Sequence, residues 1–459
     1  MNNDTASLHF KKMTETPIPR LITILAIPTI ISMLVSNIYN LADTFFVGKL
    51  GVSASGAIGV IFTLMSILQA IAFMLGHGAG SVVSRLLASK NIDKASSYAS
   101  TSFYLSLLIG LIFVITGFVF IEPLVYALGS TSTIYPYAKI YAMYIIAGSP
   151  FFMASLVMNN VLRYEGKAIY SMIGLASGSI LNIILDPILI FGFDMGMHGA
   201  GLSTAFSQVV SFVILLILYL KYAQSELKIK NISKELNTYW VIFKTGLPSL
   251  IRQGLNSISS GLLNNIAKPY GDECISALSI VSRINMFLLS IGLGMGQGYQ
   301  PVAGFNYQAK KYSRVREGFK FTLITSLIMM STFCLFAVIF SKPFVSLFID
   351  DNKVIEIAVV ALRFTVIALL FMPISTVGNM LFQSIGKNLV AAFLSCLRAG
   401  LCYIPVLIIL SATLKLLGIQ MTQMVADILT SIITLPFIIS FFKNLPKDRE
   451  ENNNEVLSM

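Results

Sequence analysis

The sequence predicts an all-α integral membrane protein with twelve transmembrane helices, built as two parallel six-helix repeats. Three observations carry this. Of 459 residues, 56% are hydrophobic and only 12% charged, about half the charged share of an ordinary soluble chain. Long apolar runs alternate with short charged loops, the pattern of a polytopic helical protein. A block of sequence also recurs 220 residues downstream without a gap. Pro28 pairs with Pro248, Gly51 with Gly271, Gly76 with Gly296, Gly78 with Gly298, Pro123 with Pro343, Asn159 with Asn379, Gly166 with Gly386 and Lys167 with Lys387. Residues 28–166 hold 16 Gly or Pro, and six fall on an identical residue, where composition alone predicts about one. Gly and Pro set bends and close backbone approaches, so shared positions imply two similarly bent units.

The spans read as 21–45, 53–76, 96–121, 136–160, 168–192, 198–222, 240–267, 275–298, 318–340, 354–383, 389–413 and 417–442. Continuous rather than alternating apolar runs exclude a β-barrel. Residues 1–19 are polar and the first apolar run is too long for a signal h-region, so no cleavable signal is expected. Six spans per repeat is an even number, so both repeats insert in the same orientation. The organisation is a cytoplasmic N-terminal tail 1–20, a first six-helix lobe 21–222, a cytoplasmic linker 223–239, a second lobe 240–442 and a polar cytoplasmic tail 443–459.

The net charge of +11 is placed as a topology signal rather than a nucleic-acid surface. Of the 32 Lys and Arg, 22 fall on loops and tails of one side, six on the other, and Arg252, Arg283, Arg363 and Arg398 within spans. This positive-inside asymmetry puts both termini in the cytoplasm, with anionic lipid as a partner and nucleic acid excluded; the expected location is a bacterial plasma membrane. Cys274, Cys334, Cys396 and Cys402 show no metal-ligand spacing and read as ordinary buried thiols. No P-loop, Ser-His-Asp arrangement or His/Cys cluster appears, so neither an enzyme nor an ATP-driven pump is expected, and no cofactor. His77, within Gly76-His77-Gly78, reads as part of a close-packed helix end.

Ionisable groups inside spans are costly and mark function by default. Asp43 closes a polar stripe with Ser36 and Asn40, beside Asn37. Asp186 shares a face with Ser179 and Asn182. Thr204, Gln208 and Ser211 form a third face. Counting residues from the span ends puts Asp43, Asp186 and Thr204 within roughly 10 Å of the outer boundary. Two carboxylates in a low-dielectric site do not readily ionise together, so the pair titrates as a unit and favours a proton. The same oxygens suit Na⁺. Asp427 is expected to pair with a membrane arginine of its own half, with substrate contact as the alternative. Tyr39, Tyr144 and Phe151 are candidate walls of the substrate path.

These residues resemble the multidrug and toxic compound extrusion (MATE) transporters of the MOP type, in the bacterial MepA- and DinF-like branch. The motifs are Pro28, Asn37-x-x-Asn40-x-x-Asp43 with Gly48, Asn182-x-x-x-Asp186-Pro187, and Gly199-Ala200-Gly201-x-x-Thr204. In the second half they are Gly246-Leu-Pro248-Ser-x-x-Arg252-Gln253 and Gly296-Gln-Gly-x-Gln-Pro301-x-x-Gly304-Phe-Asn-Tyr307. The resemblance implies two lobes around a V-shaped cavity and monomeric export of small amphipathic organic cations by antiport with H⁺ or Na⁺. It also implies a cation site at Asp43, Asn182, Asp186 and Thr204. The rival reading is a lipid-linked oligosaccharide flippase of the same superfamily, which would use membrane arginines to hold an anionic headgroup.

Overall fold

A computed structural model describes residues 3–446 and Asp448; the remainder of the expected tail 443–459, and residues 1–2, lie outside the described residues. The chain begins with a helix, α1 (Asn3–Glu15), inside the segment expected to be a plain polar tail. Its Met13 is fully buried and His9 nearly so. The first half continues with α2 (Ile18–Gly48), α3 (Val52–Ala88), α4 (Ile92–Val119), the short α5 (Ile121–Ala127), α6 (Tyr135–Tyr164), α7 (Ala168–Pro187) and α8 (Gly196–Tyr222). The second half holds α9 (Leu236–Ala267), α10 (Asp272–Gln308), α11 (Tyr312–Ile339), the short α12 (Ser341–Ser346), α13 (Asn352–Ala368), α14 (Met372–Ser384), α15 (Asn388–Cys396) and α16 (Tyr403–Lys443).

Among the described residues nine helical stretches are long and apolar enough to cross a membrane, or ten if α13 and α14 form one span. The expected span 354–383 is this pair, bent by 47°. Pro373 stands in the first turn of α14, where its missing N–H costs least. The stretch Asn388–Lys443 runs for 56 residues but breaks at Lys415, whose φ of 54° no helix accommodates, so it comprises two spans. Helix α9 has 32 residues but more polar ones; with it the segments number twelve.

The repeat is written into the backbone. Gly51 and Gly271, Lys90 and Lys310, and Gly166 and Gly386 all take positive φ at the 220 offset. Asp194 and Lys415 form a fourth such pair one residue later, at φ 52° and 54°. Asn159 donates to Ser171 O at 3.0 Å, and Asn379 donates to Ala391 O at 2.6 Å, again at the same offset. Each amide satisfies a carbonyl that no water could reach in the bilayer core.

Helix α2 packs along α10, and α3 along α9, and these crossings join the two halves. They are backbone-on-backbone. A Cβ added to Gly78 would sit 2.2 Å from Ile242 O, and one on Gly246 1.8 Å from Met74 O. Related contacts bring Gly298 onto Ala26 and Gly294 onto Ile30. Ser81 donates across the same seam to Gln383 O at 3.0 Å, and Gln383 donates to Ser249 Oγ at 3.0 Å. The halves are thus closed on each other at the end that carries the linker.

The linker is clamped rather than loose, and α9 already begins at Leu236. Ser100 donates to Glu226 O at 2.7 Å, while Ser96 and Thr101 accept from the backbone of Glu226 and Ser233. Glu165, fully buried after α6, accepts from the backbone N–H groups of Gln224 and Ser225 and from the Ser225 hydroxyl. His9 of α1 contacts Glu165 O at 2.8 Å. Burial pushes the Glu165 carboxyl up to about 7, against the opposing pull of its hydrogen bonds. Burial also pushes His9 down to about 4.

Two predictions follow from these packings. Gly246→Ala should cost about 1–3 kcal/mol by overpacking against Met74, read as a lowered Tm in detergent. Gly254→Ala, with open space around it, serves as the control and should leave Tm unchanged or slightly raised, since Ala favours a helix interior over Gly. The second concerns pH. Glu165 keeps a proton in the folded state that the unfolded chain has released, so its contribution falls as pH rises from roughly 4.5 to about 7. His9 does the reverse: the unfolded chain binds the extra proton, so its contribution rises from about 4 to 6.5. The two offset each other in the native protein. Thermal unfolding against pH should therefore show a rising slope in Glu165→Gln and a falling one in His9→Gln; matching profiles in both variants would refute the assignment.

Candidate functional site: a buried carboxylate pair beside a cavity

Four helices bring their polar faces together in the first half. Asp43 comes from the last turns of α2, Tyr141 from the start of α6, Asn182 and Asp186 from the end of α7, and Ser203 and Thr204 from the start of α8. Pro187 follows Asp186 directly, and the helix loosens there into a π turn over Ile188–Gly192. All six side chains are buried, Asp186 completely. The Tyr141 hydroxyl donates to Asp43 Oδ2 at 2.9 Å and lies 3.3 Å from Thr204 Oγ1. Thr204 Oγ1 is 3.2 Å from the Asn182 amide. Turned to face its donors, that amide gives a hydrogen bond to Asp186 Oδ2 at 3.1 Å. Ser203 lies 2.7 Å from the same amide and donates to Asp186 Oδ1. Asp43 and Asp186 are therefore ends of one connected chain of hydroxyl and amide groups.

One oxygen of this set is unused. Asp43 Oδ1 is buried and has no hydrogen-bond partner among the described residues. Asp43 also lines a cavity of about 290 Å³ between the halves, with Asn37, Asn40, Phe62, Met65 and Tyr141 from the first half and Arg283, Met286 and Phe287 from α10. The cavity lies at the end of the molecule opposite the glycine seam. Asn37 closes its floor by donating to Ser290 Oγ at 2.7 Å and Met286 O at 3.2 Å. No group of three His, Cys, Asp or Glu gathers among the described residues. The donor set is instead two carboxylates, an amide and hydroxyls, which suits a proton or a hard monovalent cation.

All four residues expected at a cation site, Asp43, Asn182, Asp186 and Thr204, fall in this cluster. The expected supporting shell is more dispersed. Asn37 and Asn40 face the cavity. Ser36 bonds back to Ser32 O in its own helix. The Ser179 side chain makes no hydrogen bond among the described residues, and Gln208 packs on Gly148 with its Oε1 unpaired. None of the four side chains expected along the substrate path lines the cavity. Tyr39 turns toward Thr204 and both carboxylates, because its side of α2 faces α7 and α8. Tyr144 packs on Gly201 and lies 3.3 Å from His198 Nδ1. Phe151 stacks edge-on with Phe212. Asp427 is fully buried and holds Arg398 through bonds of 2.9 and 3.2 Å, with Gln423 at 3.0 Å, the lobe-internal pair expected from sequence.

Sequence reasoning missed Tyr141 and Ser203. A tyrosine near a helix start carries no signal of its own, whereas Ser203, next to Thr204, was adjacent to a named residue. It also missed Arg163, counted as a loop charge but buried within α6. Arg163 binds Gln297, Asn160 Oδ1 at 2.7 Å and His77 Nε2 at 2.9 Å. A guanidinium only donates, so His77 accepts at Nε2 and carries its proton on Nδ1, which faces Ser249 Oγ at 2.6 Å. His77 is thus a packed, hydrogen-bonded group at the seam.

A duplicated bundle of membrane-spanning helices with a polar cavity between its halves is the architecture of a class, the membrane transporters. The comparisons agree. The MatE family profile matches twice, over residues 28–188 and 248–409, again offset by 220 at its start. The chain belongs to the MatE family, whose members are membrane transporters and not enzymes. It is 28% identical over 442 residues to the multidrug export protein MepA of Staphylococcus aureus strain MRSA252, covering 95% of this chain and 97% of that one. MepA of Staphylococcus saprophyticus is 27% identical over 430 residues, covering 93% and 94%. A crystal structure of MATE in complex with MaL6 superposes with a TM-score of 0.89 at 25% identity, covering 95% and 98%. An outward-facing multidrug resistance MATE transporter of the MOP superfamily gives 0.88 at 26% identity, covering 94% and 98%.

Stripping one donor from either carboxylate should be costly. Tyr141→Phe and Ser203→Ala should each lose about 1–3 kcal/mol, the penalty for a buried acceptor left unpaired. Ser179→Ala should be silent. Thermal unfolding of the three purified variants measures this, and equal Tm values would remove the cluster from the stability account.

Proposed function

We propose that this protein is an ion-coupled multidrug exporter of the plasma membrane, working by antiport with H⁺ or Na⁺. The observation that carries the reading is the double position of Asp43, which lines the cavity and is also one end of the buried polar chain to Asp186. A ligand in the cavity and an ion in the cluster meet the same carboxylate. They therefore compete for one charge, which is the requirement for exchange rather than co-transport.

With both termini in the cytoplasm, as the 22-to-6 distribution of basic residues favours, the glycine seam faces inward and the cavity outward. In this conformation an amphipathic cation sits against ionised Asp43 and the apolar wall. A proton or Na⁺ arriving from outside binds among Asp43, Asn182, Asp186 and Thr204 and neutralises the site. The organic cation loses its electrostatic partner and leaves. The lobes, 21–222 and 240–442, then rock about the interface between them; the seam opens as the cavity closes, and the ion is released inward. The relatives' name, multidrug export protein, supports this direction of transport.

The flippase reading requires a cluster of free guanidinium groups on the cavity wall. Arg398 is committed to Asp427, and neither it nor Arg252 lines the cavity, which leaves Arg283 as the single membrane arginine on that wall, opposite the carboxylate of Asp43; this weighs against that alternative.

Reconstituted vesicles under separately imposed pH and Na⁺ gradients test the proposal. Asp43→Asn and Asp186→Asn should each cut gradient-driven dye efflux at least about tenfold, the effect of losing one charge-assisted interaction. Wild-type coupled efflux from both variants would overturn it. The gradient that drives the wild-type protein identifies the ion.

A further inference from the structure

The cavity carries a second charge. Arg283, on α10, lines it together with Asp43 and is exposed there. It makes no hydrogen bond or ion pair among the described residues. Two of the other three membrane arginines do: Arg398 with Asp427, and Arg363 with Ser341 Oγ at 3.2 Å. Arg252 has no such bond either, but it does not line the cavity.

Arg283 and Asp43 share one small cavity without closing on each other. Asp43 spends Oδ2 on Tyr141, and its Oδ1 has no partner. Opposite charges on one cavity wall pair directly unless the scaffold holds them apart. Here the scaffold does so, because Asp43 belongs to the first half and Arg283 to the second, and the Asn37 bonds to α10 set their spacing. The same cavity is lined by Phe62, Met65, Met286 and Phe287, apolar surface for a flat ring system. A simple organic cation would satisfy Asp43 and leave Arg283 facing a like charge across the cavity. A molecule with a cationic centre and an anionic group would satisfy both.

We propose that Arg283 is the anion-recognising pole of a two-pole cavity, and that the preferred ligands are amphipathic zwitterions: cation toward Asp43, carboxylate or similar anion toward Arg283. This rests on the export reading for its direction and purpose, but the binding claim stands separately. A guanidinium suits the task because it presents a planar fork of donors matched to a carboxylate and stays charged. The lobe rocking proposed above would carry the two poles apart, so the zwitterion is held most tightly only while both walls face it.

The test uses a rhodamine with a free carboxylate and its methyl ester, which keeps the delocalised cation and loses the anion. Binding to the purified full-length protein is followed by fluorescence anisotropy. Arg283→Gln should weaken binding of the carboxylate dye about tenfold or more, the scale of one lost charge-assisted bond, while the ester binds unchanged or tighter. Arg283→Lys should recover part of the loss, and Asp43→Asn should weaken both dyes. An equal effect of Arg283→Gln on the two dyes, or no effect on either, overturns the proposal. The export reading fails by a different result, namely that reconstituted wild-type protein moves neither dye under any ion gradient.

Discussion

The structure depends on one constraint: within a hydrocarbon layer a polar atom has no water to turn to, so each must be answered by protein. This makes the chain helical and confines its polar side chains to a few gathered places. Asn159 and Asn379 each cap a carbonyl of the neighbouring helix. The terminal nitrogens of Arg163, without a carboxylate, are answered by Gln297, Asn160 and His77. Asp186, with no exposed surface, is answered by Ser203 and Asn182. Some buried polar atoms have no partner among the described residues, and the Oδ1 of Asp43 is the one that belongs to a carboxylate and to a residue lining the cavity.

The duplication and its breaks divide the labour. Elements common to both halves are geometric: the positive-φ residues at the 220 offset, the paired asparagines, and the glycines that let helices of opposite halves touch backbone to backbone. Contact without intervening side chains gives a seam with little to interdigitate, a suitable place for two bodies to part. Elements that differ are chemical. At the offset of 220, Asp43 meets Leu263, Asn182 meets Cys402 and Asp186 meets Val406, while near Thr204 the counterpart becomes Gln423. Gln423 is bound instead to the closed Asp427–Arg398 pair. One half keeps an open carboxylate cluster, and the other has neutralised its own.

Much of the site was legible because helix periodicity orders residues along a face. The spacings Ser36–Asn40–Asp43 and Ser179–Asn182–Asp186 put oxygens at one level, and counting from span ends set the depth. The same logic could not say which side of a helix faces a cavity and which faces a neighbour. Tyr39 is a plausible cavity residue by position, yet α7 and α8 claim its side of α2. Tyr141 is invisible as a ligand because its role depends on α6 packing against α8, from where its hydroxyl reaches Asp43 of α2. The bend between α13 and α14 has the same character: Pro373 allows it, but packing around it sets the 47°.

The sequence by itself determined the number of spans, the duplication and the chemistry available for an ion, since hydropathy, Gly and Pro placement and polar periodicity are local properties of the chain. It also determined that acidic membrane residues cluster in the first half. Tertiary structure alone decided which charges meet. Asp427 finds Arg398 and is silenced, whereas Asp43 and Arg283 face one cavity and stay apart. The physical reason is distance: Coulomb energy and hydrogen bonding are settled over a few ångströms, and those few ångströms are fixed by how helices far apart in sequence pack.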